Sequence, residues 1–167
     1  EQEGIDATFW KNKIQKAFDY RKFLRLVNNT DTNVYRLVFG EGDGLPGLII
    51  DHYDGHLVIQ CHSVGVHRSL NEIATALQEV YGKALQTIYD KSKEALPKNY
   101  AGGVENKYLL GNTGNTIVKE YGHSFHVDWE KGQKTGFFID QRENRKLLAQ
   151  YSKDKHILNT FCYTGGF

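Results

Sequence analysis

The stretch HILNTFCYTGGF (156–167) joins a compact apolar run to a glycine pair, and its reading decides the fold class. Residues 156–161 predict a buried strand, and Gly165-Gly166 predicts a tight turn behind it. Strand, glycine turn and following helix are the opening of a nucleotide-binding α/β sheet. Glycine lets a ligand approach the backbone with no Cβ in the way, and a helix start offers free N–H groups to an anion. An ordinary strand-to-helix turn looks the same, so spacing alone leaves both readings open.

Working outward, KGQKTGFFIDQRENR (131–145) reads as a glycine-flexed loop feeding a helix that runs to about Tyr151, with Asp140 as its cap and Glu143 completing a capping box. Arg142 and Arg145 fall in its first turns. Cations there oppose the helix dipole, so they call for another partner: a carboxylate or phosphate ligand, or a structural pair with Asp140 or Glu143. Before the loop, 116–129 alternates apolar and polar residues and predicts a hairpin turning at Gly122-His123. Residues 90–115 are polar and irregular, with at most a short strand near Tyr108-Leu109-Leu110.

The first half has its own pattern. Strand-like runs at 34–39, 48–51 and 57–60, the last two joined by Asp54-Gly55, predict an antiparallel meander. Leu70, Ile73, Ala74, Leu77 and Tyr81 repeat at helical spacing over 69–81, with Ser69 and Glu72 as a capping box and Gly82 as the stop. A strand at 84–89 follows. One helix covering one face of an antiparallel sheet is the expected α+β unit. The glycine-rich loop 40–47 lacks the Gly-Lys-Ser/Thr ending of a phosphate cradle and reads as a structural turn. Residues 8–27 predict a basic helix with Trp10, Ile14, Ala17 and Leu24 on its apolar side. Its lysines and arginines suit either a solvated face or RNA phosphates.

Bulk properties narrow the classes. A net charge of +1 neither demands nor forbids nucleic acid, and no apolar run approaches a membrane span, so no membrane partner is expected. Two distant cysteines, Cys61 and Cys162, make neither a disulfide framework nor a zinc site, in keeping with a cytoplasmic protein. His123 and His126, three apart on a strand, point to opposite faces, and no metal is expected. The chain starts at Glu1, contains no methionine and stops just after the glycine pair, so both ends read as cuts.

Together, KGQKTGFFIDQRENR (131–145) and ILNTFCYTGGF (157–167) resemble the bacterial 23S ribosomal RNA methyltransferases that modify cytosine at carbon 5. The stretch VYRLVFGEGDGLPGLIIDHYDGHLVIQ (34–60) resembles the central domain of that family. The resemblance implies an RNA-binding PUA domain, a central α+β domain and a Rossmann-like methyltransferase domain using S-adenosylmethionine. On this chain it implies a linker helix at 1–30, the central domain at 31–115 and the truncated start of the methyltransferase domain at 116–167. Asn159, Phe161, Tyr163, Gly165 and Gly166 match the motif that wraps the methionine and ribose parts of the cofactor. Phe137, Gln141 and Arg142 match the segment closing over it, with Arg142 facing its carboxylate. The nucleophilic cysteine that would attack carbon 6 is expected beyond Phe167, with Cys162 packing beside the cofactor, so this piece alone is expected to be inactive. Ribosomal RNA is the expected partner, and a homodimer stays open. Two rival readings are a non-catalytic RNA-binding or assembly module, and another nucleotide-binding α/β enzyme such as a dehydrogenase.

Overall fold

The computed structural model describes residues 4–167; the first three positions of the 1–30 segment lie outside the described residues. Its frame is a five-stranded sheet in the order β1-β2-β3-β4-β5: β1 Val34–Phe39, β2 Leu48–Tyr53, β3 His56–Cys61, β4 Thr87–Asp90 and β5 Lys107–Leu110. Asp54 and Gly55 both take positive φ (48° and 88°), the two-residue turn that their identities demand. The sheet is mixed, which corrects the antiparallel expectation. β3 and β4 run parallel because the chain between them crosses over through α2 (Val64–Arg68) and α3 (Leu70–Tyr81). Ser63, not Ser69, supplies the side-chain cap on this crossover, accepting from the Val66 N–H; Ser69 makes no such bond at the start of α3.

Strand alternation divides the core in two. Leu37, Leu48, Ile50, Leu57, Ile59 and Ile88 face one side, where α3 and α1 (Ala7–Phe23) cover them. α1 is stopped by the left-handed Arg25 just after its cap, four residues short of the expected end. Trp10, Ile14 and Ala17 bury as expected, but the fourth position of the face belongs to Arg21 while Leu24 stays exposed. Arg21 reaches the Arg36 carbonyl at 2.8 Å and clasps Asp43 with both guanidinium nitrogens, which fastens the 40–47 turn. Two helices, rather than one, therefore cover this face.

The opposite face buries Val34, Tyr53, Val58 and Tyr89 against β6 (Asn115–Glu120) and β7 (His123–Asp128) through Val118 and Val127. The hairpin turns at Tyr121-Gly122, one residue earlier than expected; both take positive φ (51° and 78°). The result is three layers: helices, mixed sheet, then hairpin with the loop that follows it. A one-turn α4 (Lys98–Ala101) precedes β5, and α5 (Arg142–Ser152) closes the regular structure.

His52 on β2 lies stacked between Tyr35 (4.4 Å) and Tyr81 (5.6 Å). The Gly55 N–H donates to its Nε2 at 3.0 Å while Nδ1 faces the Asn33 carbonyl at 3.2 Å, so only the neutral ring with the proton on Nδ1 satisfies both contacts. Burial accordingly pulls its pKa down from 6.5 to about 4. A depressed folded pKa means that the unfolded chain takes up the proton first, so stability is lost as pH falls from 6.5 towards 4. The slope due to this group is at most about 1.4 kcal/mol per pH unit. Urea titrations across that window should show a shallower acid loss in His52→Gln than in the parent; parallel curves contradict the assignment.

Candidate functional site

The loop after β7 is nailed to the sheet at three points. Trp129 is fully buried, stacked on Tyr53 at 6.1 Å between ring centroids and tilted over His56 at 5.2 Å. The Lys91 ammonium, buried at the end of β4, donates to the carbonyls of Trp129 and Gly132. Burial lowers its pKa while Glu94 and Asp128 push the other way. Third, the Thr135 hydroxyl donates to Asp51 Oδ2 at 2.6 Å and accepts from the Tyr53 hydroxyl at 3.0 Å. Asp51 is fully buried and also receives Arg36 in a two-pronged contact at 2.8 and 3.1 Å. Burial, then the nearby Asp51 charge, holds the Tyr53 hydroxyl well above its usual pKa, so it stays a donor. A Cβ on Gly132 would lie 2.4 Å from the Asp128 carbonyl oxygen, so the turn admits glycine only.

Past this loop the chain enters a 3-10 turn, Ile139–Gln141, and then α5. The expected cap is not made: Asp140 is exposed, accepting only from the Gln141 amide at 3.2 Å, and Glu143 accepts from the Tyr121 hydroxyl instead. The arginines find a different acid. Glu120, 2% exposed at the end of β6, takes Arg145 in a two-pronged contact at 2.7 and 2.8 Å and Arg142 at 3.4 Å. Arg142 also donates to the Val34 carbonyl, and Arg145 to that of Phe138 at 3.1 Å, with its guanidinium 4.4 Å from the Phe137 ring centroid. One carboxylate against two guanidiniums leaves this cluster a net positive charge.

Residues 156–161 do not form the expected strand. Leu158 and Phe161 are exposed and no β-ladder includes the run. An apolar parallel strand needs a neighbour on its edge and cover on both faces, and among the described residues nothing supplies either. The segment nonetheless folds back over the loop. The Tyr163 hydroxyl accepts the Gln133 N–H at 2.7 Å, Tyr163 meets Phe138 edge-on at 6.1 Å, and Gly165 (φ 71°) closes a turn by donating to the Cys162 carbonyl at 2.7 Å.

The two stretches therefore meet. Phe137, Gln141, Asn159, Phe161, Tyr163 and Gly166 line a single cavity of about 310 Å³, with Arg145 in its wall. Gly165 lines an adjoining cavity of about 560 Å³ with Phe137, Tyr163 and Gly166. Arg142 lines neither; it is spent on Glu120 and Val34, and the arginine at the cavity is Arg145. Both sit on the same side of the helix three residues apart, and spacing could not choose between them. Cys162 is exposed in the cavity wall, whereas burial pushes the Cys61 thiol up to about 12. Among the described residues no cluster of three or more His, Cys, Asp or Glu could hold a metal, and no helix is long and apolar enough to cross a membrane.

No family model matches the chain. The curated relatives that it resembles are methyltransferases. It is 38% identical to the ribosomal RNA large subunit methyltransferase I of Tolumonas auensis over its whole length, and 36% identical to those of an Enterobacter species and Erwinia tasmaniensis. It spans only about 42% of the length of such relatives. Among solved structures it superposes on SMU.776, described as a methyltransferase complexed with SAH, with a TM-score of 0.80 and 27% identity over 99% of this chain and 41% of that one. A Streptococcus mutans protein described as a SAM-dependent methyltransferase gives 0.75 and 26% over 91% of this chain and 38% of that one.

The Glu120 cluster fixes Arg145 in the cavity wall, and its removal is measurable. Glu120→Gln leaves the buried Arg145 and the half-buried Arg142 without their acid and should cost about 3–5 kcal/mol in urea unfolding. A loss below about 0.5 kcal/mol, as at an ordinary surface site, contradicts this role.

Proposed function

We propose that the chain is the central and cofactor-binding part of an S-adenosylmethionine-dependent RNA methyltransferase, with the cofactor in the cavity between residues 137–141 and 159–167. The observation that carries this is the convergence of the two stretches on one cavity, six of whose lining residues match the motifs named from sequence. Its volume of about 310 Å³ lies at the lower end of the roughly 300–1,000 Å³ usual for ligand pockets. The name of the SAH complex among similar structures favours a methyl donor over a dinucleotide.

The donor set fits such a ligand. Phe137, Phe161 and Tyr163 offer ring faces to an adenosine, and the Asn159 and Gln141 amides offer donors and acceptors to its hydroxyls. The net positive charge of the Glu120, Arg142 and Arg145 cluster attracts the carboxylate of the amino-acid part, with Arg145 beside the cavity and Arg142 acting through Glu120. Gly165 and Gly166 keep side chains out of the turn. When bound, S-adenosylmethionine supplies an electrophilic methyl group on a sulfonium. This chain's residues bind and orient it.

The finer reading rests on resemblance and on the relatives' names. The substrate is cytosine in large-subunit ribosomal RNA, methylated at carbon 5, and the nucleophilic cysteine and the PUA domain belong to other parts of the protein. Residues 31–115 form the central domain and 116–167 begin the Rossmann-like domain. On this reading the chain by itself transfers no methyl group.

Two measurements test it. Calorimetry with SAH should detect no micromolar binding to this chain, because only part of the pocket is present. NMR titration at millimolar SAH should shift the amides of Phe137, Gln141, Tyr163 and Gly165 and leave α1 and α3 still. Shifts confined to the helical layer would overturn the site assignment.

A further inference from the structure

A second cleft, about 700 Å³, opens on the other side of the 130–134 loop and is lined by Arg36, Gln60, His62, Lys131, Gln133 and Lys134 among others. Lys131 and Gly132 line both this cleft and the glycine-turn cavity, so a single thickness of loop separates the two. Between Arg36 and Gly40, which line the cleft, Phe39 ends the edge strand β1 with 57% of its surface exposed, its ring 5.6 Å from the Arg36 guanidinium. The core has no use for that ring.

The charges in the cleft are unevenly committed. Lys91 is spent on two carbonyls and Arg36 on Asp51. Three carboxylates line the cleft as well: Glu94, which accepts from the Asn106 amide, Glu130, which accepts from the Tyr108 hydroxyl, and Glu41. Among the described residues no ion pair includes Lys131 or Lys134, and the Lys134 ammonium lies 5.8 Å from the Phe138 ring, towards the cofactor side. An exposed ring flanking a cleft with two unpaired lysines suits an unstacked base and its phosphates, and amides with an imidazole suit base edges.

We propose that this cleft is the seat of a single-stranded RNA segment, with a base stacked on Phe39, phosphates on Lys131 and Lys134, and the target nucleotide passing over the Lys131-Gly132 wall to the methyl donor. The inference rests on the reading of the adjoining cavity as the cofactor site. A duplex would not serve, because its bases are already stacked.

The test uses this chain, a short fluorescein-labelled single-stranded oligoribonucleotide and its duplex form, with SAH binding followed separately by NMR. Phe39→Ala should weaken single-strand affinity about tenfold, the range of one lost base stack. Lys131→Ala with Lys134→Ala should lower the salt slope by about 1.4, at roughly 0.7 per phosphate on a single strand. Both variants are at exposed positions, and unchanged thermal unfolding would show that they fold. Unchanged single-strand affinity and salt slope in both variants, no binding by the parent, or equal preference for duplex would each overturn the cleft. Failure of SAH to shift the 137–141 amides, with RNA binding still sensitive to Phe39, would instead count against the cofactor reading and support the cleft as an RNA site.

Discussion

A carboxylate buried in the middle of a sheet sets the terms for everything beyond it. Asp51 points away from the helical layer, into the face that the hairpin and its following loop cover, and none of its surface reaches solvent. Such a group is tolerable only when charge and hydrogen-bonding capacity are both met. Arg36 from the adjacent strand meets the charge, and the Thr135 hydroxyl, oriented by Tyr53, completes the shell. Thr135 can do so only if the loop from Trp129 to Phe138 lies flat against the sheet. Lys91 imposes the same geometry from the other end by requiring two carbonyls of that loop. The aromatic pair Phe137-Phe138 then projects towards the last residues of the chain.

A second ionic cluster extends this order outward. Glu120 gathers Arg142 and Arg145, ties the start of α5 to the hairpin, and places Arg145 against Phe137. The surplus positive charge of this trio sits beside the glycine turn. Scaffold and candidate site are thus joined by two buried acids, one on the sheet and one on the hairpin. The same loop has the glycine-turn cavity on one side and the lysine-lined cleft on the other.

Much of this was legible in the residues because local rules decide it. Asp54-Gly55 announces its own turn, the apolar repeat of α3 its own face, and the alternation over 116–129 its own hairpin. The mixed sheet was not legible. Whether a crossover returns parallel depends on the layer that the helix covers, and the five-residue α2 is too short to show a period. Asp51 gives no local sign of its role, since its partner Thr135 lies 84 positions away. Glu120 was hidden likewise, lying 22 and 25 residues from its arginines and outside any helical window. The apolar run at 156–161 shows the converse: its composition is that of a strand, but pairing comes from neighbours, and none is present among the described residues. The meeting of the two motifs came from resemblance, while the division of labour between Arg142 and Arg145 needed coordinates.

Hydrogen exchange in Thr135→Val addresses the central dependence most directly, because the substitution keeps the side-chain shape and removes only the hydroxyl between Asp51 and Tyr53. If the loop is held by that hydroxyl, the amides of Gly132 and Gly136 should exchange at least about tenfold faster, the equivalent of one lost net hydrogen bond, while those of Val118 and Val127 stay protected. Unchanged exchange in the loop would mean that the buried carboxylate does not organise it.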